Sequence, residues 1–368
     1  MSKHNRVHGS PAATMTTPPP TTDLRAAAVQ THISRRQQYR ASRLALIRQI
    51  EAVRKSRVVS YVTSQRGTAG AQVGQDAIRM FREELGKVGK VDNLDLLLIT
   101  RGGDTMVPFR LMSLLREFAK KVSVMVPYMA HSAGTLIALG ADEIVMGTMG
   151  ELGPVDPSVT NQFNPVMAEE DQPTSPPKPR PRIPISVEDV TSYINFAQKH
   201  AGLDAAGMAA AYTALTDNVH PLAIGNILRN HNLIRHLARR LLMMHMADGE
   251  KEKVDSIVRA LTEELYAHNY VITRSEGPQI GLKIKHPTAD VENWMWELFR
   301  GYEDSLGIDR PINMMEELGQ EKQRHLCYDL AVIETVTSGF VYWVSGMASR
   351  KAPTEVQFNV ELQGWQPL

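Results

Sequence analysis

The chain has 368 residues, enough for one large domain with additions or for two domains. With 43% hydrophobic residues, 22% charged residues and a formal net charge of +1, it reads as a globular protein. That charge balance supplies no general field for nucleic acid or anionic lipid. The single cysteine, Cys327, excludes an internal disulfide framework and a cysteine-built zinc site, and no metal or cofactor is expected.

Met1 to about Thr22 is polar and broken by Pro11, Pro18, Pro19 and Pro20, so it is expected to be disordered. It lacks the apolar centre of a signal peptide. No stretch reaches the roughly 18 to 20 apolar residues that span a bilayer, which implies a soluble, cytoplasmic protein. From Arg35 to Arg57 the sequence is strongly basic, with Leu44, Ile47, Ile50 and Val53 on one helical face. This predicts a helix packed on its own domain or on a partner subunit, the alternative being an acidic or membrane surface.

Arg57–Val62 predicts a short β-branched strand, 67–74 a loop, and Ile78–Leu85 a helix ended near Gly86 and Gly89. Leu94–Thr100 predicts a buried strand that runs into Arg101–Gly102–Gly103–Asp104, and Val107–Phe118 a helix. Val122–Val126 is the next strand. It leads through Pro127–Tyr128–Met129–Ala130 to His131–Ser132–Ala133–Gly134, and Thr135–Leu139 continues as an apolar helix. Glu143–Gly147 predicts one more strand, followed by Glu151–Leu152–Gly153–Pro154–Val155–Asp156–Pro157. Short apolar strands alternating with helices imply βαβ units and a mostly parallel sheet, with sites at the carboxyl ends of the strands. Both glycine-rich turns fall at that end.

Residues 162–184 are proline-rich and predict a loop or disordered insertion. Beyond them, helices are expected over Val187–His200, Ala205–Leu215, Pro221–Met246 and Asp255–Ala267, with short strands at Asn269–Thr273 and Gly281–Ile284. Val291–Leu306 and Arg324–Val344 read as mixed helix and strand. The domain organisation expected is a disordered tail over 1–34, a core over 35–245 with the insertion at 162–184, and a mainly helical extension over 246–368.

A serine at a tight strand-to-helix turn can present its hydroxyl at the mouth of a sheet, as an acyl-transfer nucleophile does. Its ordinary alternative is a helix N-cap. The unobstructed N–H groups of Gly102–Gly103 suit a developing oxyanion, although a glycine pair is also a common turn. No third glycine follows at dinucleotide-fingerprint spacing.

Taken together, three segments resemble the Clp/crotonase superfamily: Leu97 to Gly103, His131 to Gly147, and Leu152 to Pro157. Within it they are most similar to the serine dehydrogenase proteinase family, relatives of signal peptide peptidase A and the stomatin-operon proteases. His220–Gly225 and His268–Arg274 resemble later parts of that family, so the resemblance covers about Arg43 to Lys285. It implies an α/β fold, a superhelix of ββα units with a helical C-terminal extension, that assembles into homo-oligomers. It also implies a serine peptidase acting on peptide or protein substrates, with Ser132 as nucleophile and the N–H of Ala133 and of Gly102 or Gly103 as oxyanion donors.

Relatives use a Ser–His–Asp triad or a Ser–Lys dyad, which makes Lys178 and His220 the candidate bases. Lys178 follows Pro176–Pro177, where the dyad lysine falls in the stomatin-operon relatives; as an ordinary residue it would be a solvated loop lysine. His220 precedes a helix and otherwise reads as a cap. His131 adjoins Ser132, and side chains of such neighbours normally diverge. Asp156 reads as fixing the turn between Pro154 and Pro157, or as orienting a base. Arg101 stands where related sequences carry a small residue or proline. It is placed either to bind a substrate carboxylate or to hinder peptide entry. The alternatives to a peptidase are a catalytically inactive oligomeric scaffold and a crotonase-like acyl-thioester enzyme. The latter lacks an acidic pair or a basic coenzyme A site in the sequence.

Overall fold

The computed structural model describes residues 21–67, 69–155, 162–166, 182–265 and 270–368. It begins with a long helix, α1 (Thr21–Arg54), followed by β1 (Arg57–Thr63), a hairpin of β2 (Gln65–Arg66) and β3 (Ala69–Gly70), and α2 (Asp76–Val88). Then come β4 (Val91–Ile99), α3 (Val107–Phe118), β5 (Ala119–Val126), β6 (Met129–Ala130), α4 (Ala133–Leu139), β7 (Glu143–Met146) and β8 (Glu151–Leu152). A helical section holds α5 (Val187–Asn195), α6 (Ala205–Asn218), α7 (Pro221–Leu242) and α8 (Lys251–Arg259). After it lie β9 (Ile272–Thr273), α9 (Gly277–Ile280), β10 (Ile284–Lys285), α10 (Ala289–Leu306) and α11 (Met314–Leu318). The chain closes on β11 (Gln323–Glu334), β12 (Gly339–Ala352) and β13 (Glu355–Pro367).

The large sheet runs β10-β7-β5-β4-β1-β11-β12-β13, parallel from β10 to β1 and antiparallel beyond. A second sheet, β6-β8-β9, is small. Along the chain, β5 in the large sheet is followed by β6 in the small one and then α4; β7 is likewise followed by β8. This repetition is the ββα superhelix expected of the α/β fold.

The strands were legible where both faces are buried, because such strands read as continuous apolar runs. On β4, Leu94, Leu96 and Leu98 enter the core under α2, α3, α4 and α7, whereas Leu97 and Ile99 enter the core under α1 and α10. Each side chain is fully buried, a contribution of roughly 1.5–3 kcal/mol apiece.

Three expectations are corrected. The leading tail does not extend to residue 34: α1 is already helical from Thr21. Its early turns are held by ion pairs to β11: His32 Nε2 lies 2.9 Å from Asp329 Oδ1, and Arg36 binds the same carboxylate through Nε at 2.9 Å and Nη2 at 2.6 Å. Secondly, the buried face of α1 is not the purely apolar stripe, since Val53 is 52% exposed while Arg43 is 3% exposed and paired with Glu334. Thirdly, the region 246–368 is not mainly helical. Its last part is the β11–β13 meander, and β11 pairs antiparallel with β1 in the middle of the large sheet. The loop expected over 67–74 is pinned where Val73 forms a bridge with Gly103. Among the described residues no helix is long and apolar enough to cross a membrane.

Candidate active site

The small sheet brings the two glycine-rich turns together. Beyond β4, Thr100 bridges to Ala130 of β6: Thr100 N–H donates to Met129 O at 3.0 Å, and His131 N–H donates to Thr100 O at 3.0 Å. The chain then leaves these paired strands as Gly102–Gly103 on one side and Ser132–Ala133 on the other.

Ser132 lies at φ +50°, ψ −112°, a conformation that non-glycine residues rarely adopt. Such strain costs on the order of 1–3 kcal/mol and persists where the surroundings impose it. The serine precedes α4 but makes no side-chain cap bond, so the N-cap explanation does not hold. Its half-buried side chain has no hydrogen-bond partner among the described residues. A strained serine at the strand–helix turn with its hydroxyl left free is the arrangement of a nucleophile elbow.

Gly102 is required by close approach. A Cβ there would stand 2.8 Å from Ser132 Cβ, 3.0 Å from His131 O and 3.2 Å from Ala133 N, and φ is +112°. Its N–H is already used, donating to Thr100 Oγ1 at 3.0 Å, and its carbonyl accepts from Val73 N–H at 2.9 Å. Thr100 Oγ1 is held in turn by Thr63 Oγ1 at 2.7 Å. Gly103 has φ +150°, and a Cβ there would meet Val73 O at 2.4 Å. Among the described residues neither the Gly103 N–H nor the Ala133 N–H has an acceptor. Of the two glycines, Gly103 is therefore the one with a donor to spare. Thr135 braces the other side, its Oγ1 lying within hydrogen-bond reach of Gly153 O at 2.8 Å and Ala130 O at 2.9 Å, with one proton to donate between them.

The ionisable residues around the turns are paired with one another and not with Ser132. His131 Nε2 lies 3.0 Å from Glu151 Oε1 but without hydrogen-bond alignment, so the contact is mainly electrostatic. Burial, and to a lesser degree Arg101, push His131 below the usual histidine range, against the pull of Glu151. Arg101 forms a bidentate pair with Asp309, at 2.7 Å and 2.9 Å, and this contact holds its guanidinium in the charged form. Arg101 is therefore occupied, not reaching freely for a substrate. His220 caps α7, its Nδ1 accepting from Leu222 N–H at 3.1 Å, and its ring stacks on Phe163. The structure does not bring it into hydrogen-bond contact with Ser132. Lys178 and Asp156 lie outside the described residues. Thr100, Glu151 and Asp309 escaped the sequence reading. A threonine beside a glycine pair was a usable signal for the first, whereas only the folded chain brings Asp309 to Arg101. No group of side chains suited to a metal ion occurs among the described residues.

The model of the family described as ClpP-like SDH-type serine proteinase matches residues 28–172, which contain both turns. This part of the chain is similar to that family. An uncharacterised protein of Methanocaldococcus jannaschii is 27% identical over 273 residues, spanning 72% of this chain and 80% of that protein. A second uncharacterised protein of the same organism is 32% identical over 123 residues, 32% of this chain and 42% of its own. Among solved structures, a mutant of a membrane-bound stomatin-specific protease covers 69% of this chain and 86% of its own, at 13% identity and a TM-score of 0.34. A putative enoyl-CoA hydratase from Streptomyces coelicolor covers 66% and 69% at 16% identity and a TM-score of 0.26. The family match thus covers the Gly102–Gly103 and Ser132–Ala133 turns and leaves β11–β13 outside it.

Proposed function

We propose that the protein is a serine peptidase that cleaves peptide bonds through an acyl-enzyme on Ser132. The observation that carries this is the strained, uncapped Ser132 held against the Gly102–Gly103 turn. Ser132 Oγ would attack the scissile carbonyl carbon. The oxygen, as it becomes an oxyanion, would accept from the N–H groups of Gly103 and Ala133, with Gly102 giving the backbones room to approach. Collapse of the intermediate breaks the C–N bond and gives the serine proton to the leaving amine; water then releases the acyl group. Among the described residues no basic side chain hydrogen-bonds to Ser132, and the proton acceptor is assigned to Lys178, with His220 kept as a helix cap.

Fluorophosphonate labelling of the full chain tests this. Labelling should occur on Ser132 and disappear in Ser132→Ala. Lys178→Met should slow it roughly 100-fold or more, the scale of general-base catalysis, while His220→Ala leaves it within a few-fold. Labelling that survives Ser132→Ala would sink the assignment. A second reading, an inactive scaffold of the same fold, is favoured by the unpaired Ser132 hydroxyl and the closed Arg101–Asp309 pair. It predicts no labelling of the wild-type chain.

A further inference from the structure

A groove of about 1220 Å³ opens at the end of the large sheet opposite to Ser132. It is lined where β1, β4 and β5 begin, at Arg57, Val91 and Ala119, and by the closing turns of α1 and α3. These strands are parallel, so the groove lies at their amino ends, whereas the Gly102 and Ser132 turns follow their carboxyl ends. The whole chain carries a formal charge of only +1, yet the groove is lined by six cations and three carboxylates. Three of the cations are spoken for: Arg57 by Glu51 at 3.1 Å, Lys120 by Asp92 at 2.7 Å and Arg116 by Asp142 at 3.2 Å. Arg48, Lys55 and Lys90 are exposed and, among the described residues, their side chains have no ion pair or hydrogen bond. Glu117 is the one lining carboxylate left over.

Lys55 holds its place at a steric cost. α1 ends at Arg54, and Ser56 N–H donates to Glu51 O at 3.3 Å, which makes Lys55, at φ +50°, the left-handed residue of the closing turn. Glycine or asparagine ordinarily fills that position, because a longer side chain crowds its own backbone there. The Lys55 carbonyl is fixed by Asn93 Nδ2 of β4 at 3.1 Å. Helix carboxyl ends attract cations, but that field fades beyond the last turn. Arg48 lies before the last turn of α1, and Lys90 lies past Gly89, the C-cap of α2. The helix ends therefore do not account for all three unpaired cations.

We propose that this groove binds a small molecule carrying two or more phosphate groups, with Arg48, Lys55 and Lys90 as its counter-charges. The floor crosses the starts of three neighbouring strands, a span of roughly 10 Å at the usual strand spacing. A phosphate chain concentrates several negative charges within such a span. An acidic peptide is a poorer fit, since an extended chain turns alternate side chains to opposite faces and spreads its carboxylates further apart. An arginine offers phosphate a planar fork, and lysines act on it as point charges. The site stands apart from the chemistry at Ser132, and the two can fail separately.

Calorimetric titration of the full chain with inorganic tripolyphosphate tests this. Binding should be saturable, weaken as salt is raised, and be unchanged in Ser132→Ala. Lys55→Gly is the decisive variant, because its two effects have opposite signs. Relief of the left-handed strain should leave the melting temperature equal or higher, while tripolyphosphate binding falls roughly tenfold or more. Arg48→Ala with Lys90→Ala, which breaks no ion pair among the described residues, should weaken binding at least as much, with circular dichroism confirming the fold. Adenosine triphosphate in a parallel titration separates two sources of the same chemistry: equal affinity assigns the ligand to a free phosphate chain, and tighter binding assigns it to a nucleotide. Absence of saturable tripolyphosphate binding would overturn the proposal, as would a folded Lys55→Gly or double variant that binds like the wild type. Tighter binding of a hexaglutamate peptide than of tripolyphosphate would also overturn it and give the groove to an acidic polypeptide.

Discussion

The candidate site depends on two residues that carry no reactive group. Gly102 allows its turn to lie against Ser132, and Thr100 fixes that turn by accepting the Gly102 N–H. Gly102→Ala would bring a methyl to 2.8 Å from Ser132 Cβ at a positive φ. It should destabilise the protein by about 1–3 kcal/mol and slow fluorophosphonate labelling by roughly 100-fold or more. Melting temperature and labelling rate, measured on the same sample, separate the two effects. Thr100→Val keeps the shape but removes the acceptor from Gly102 and the partner from Thr63, for a loss of about 1–3 kcal/mol by urea unfolding. At this scale the sequence was informative where the chemistry is local. A serine followed by Ala–Gly after an apolar strand, and a glycine pair after another, are visible in one dimension. Which glycine has a free N–H was not, because it depends on a threonine hydroxyl and on Val73, placed by the fold. Arg101 was equally open until Asp309, distant in sequence, proved to be its partner.

Between elements, the seam joining α1 to β11 is ionic, and Tyr302 of α10 takes part in it. Arg43 binds Glu334 at 2.6 Å, Tyr302 donates to the same carboxylate at 2.7 Å, and Arg36 and His32 converge on Asp329. Removing one member of a buried pair leaves the other charge without compensation, so Arg43→Met should cost about 3–5 kcal/mol. Burial opposes the charged form of Asp329, but the hydrogen bonds and charges of His32 and Arg36 outweigh it and hold the carboxyl below its usual range. The unfolded chain therefore binds a proton at Asp329 more readily than the native one. The stabilisation is complete above about pH 4 and is lost as the pH falls through the lower native value. Urea unfolding between pH 7 and pH 3 should show this decline, and Asp329→Asn should lower stability at pH 7 and flatten the decline. This seam is also why the strands at the end of the chain were hard to read. β11 places Leu330 and Val332 in different cores and turns its acidic residues toward arginines on α1. Its pattern is thus neither a clean alternation nor a continuous apolar run. β1, β4, β5 and β7, covered on both faces, were apparent.

For the whole molecule, the family match and the folding unit do not coincide. The match ends at residue 172, yet β1 has β4 on one side and β11 on the other, so the strands after residue 322 complete the middle of the sheet. The same strands carry Asp329 and Glu334, the counter-charges for His32, Arg36 and Arg43 of α1. A chain ending at Glu321 would expose the flank of β1, a strand whose Val58, Val59, Tyr61 and Val62 are all buried. It would also leave several cations of α1 without partners in an apolar setting. An unprotected central edge invites association, and unpaired buried charge opposes folding. Such a chain should be recovered as aggregate, without the cooperative thermal transition of the full protein and without labelling at Ser132, although every residue of the proposed oxyanion turn and nucleophile elbow is present. Co-expression of residues 322–368 as a separate piece should restore part of the soluble, cooperatively melting material, because the lost interactions are pairings across the sheet and not chain connectivity. A soluble, cooperatively folded chain ending at Glu321 would instead mean that β4–β7 and the helices beneath them form the stable unit by themselves, with β11–β13 an appended layer.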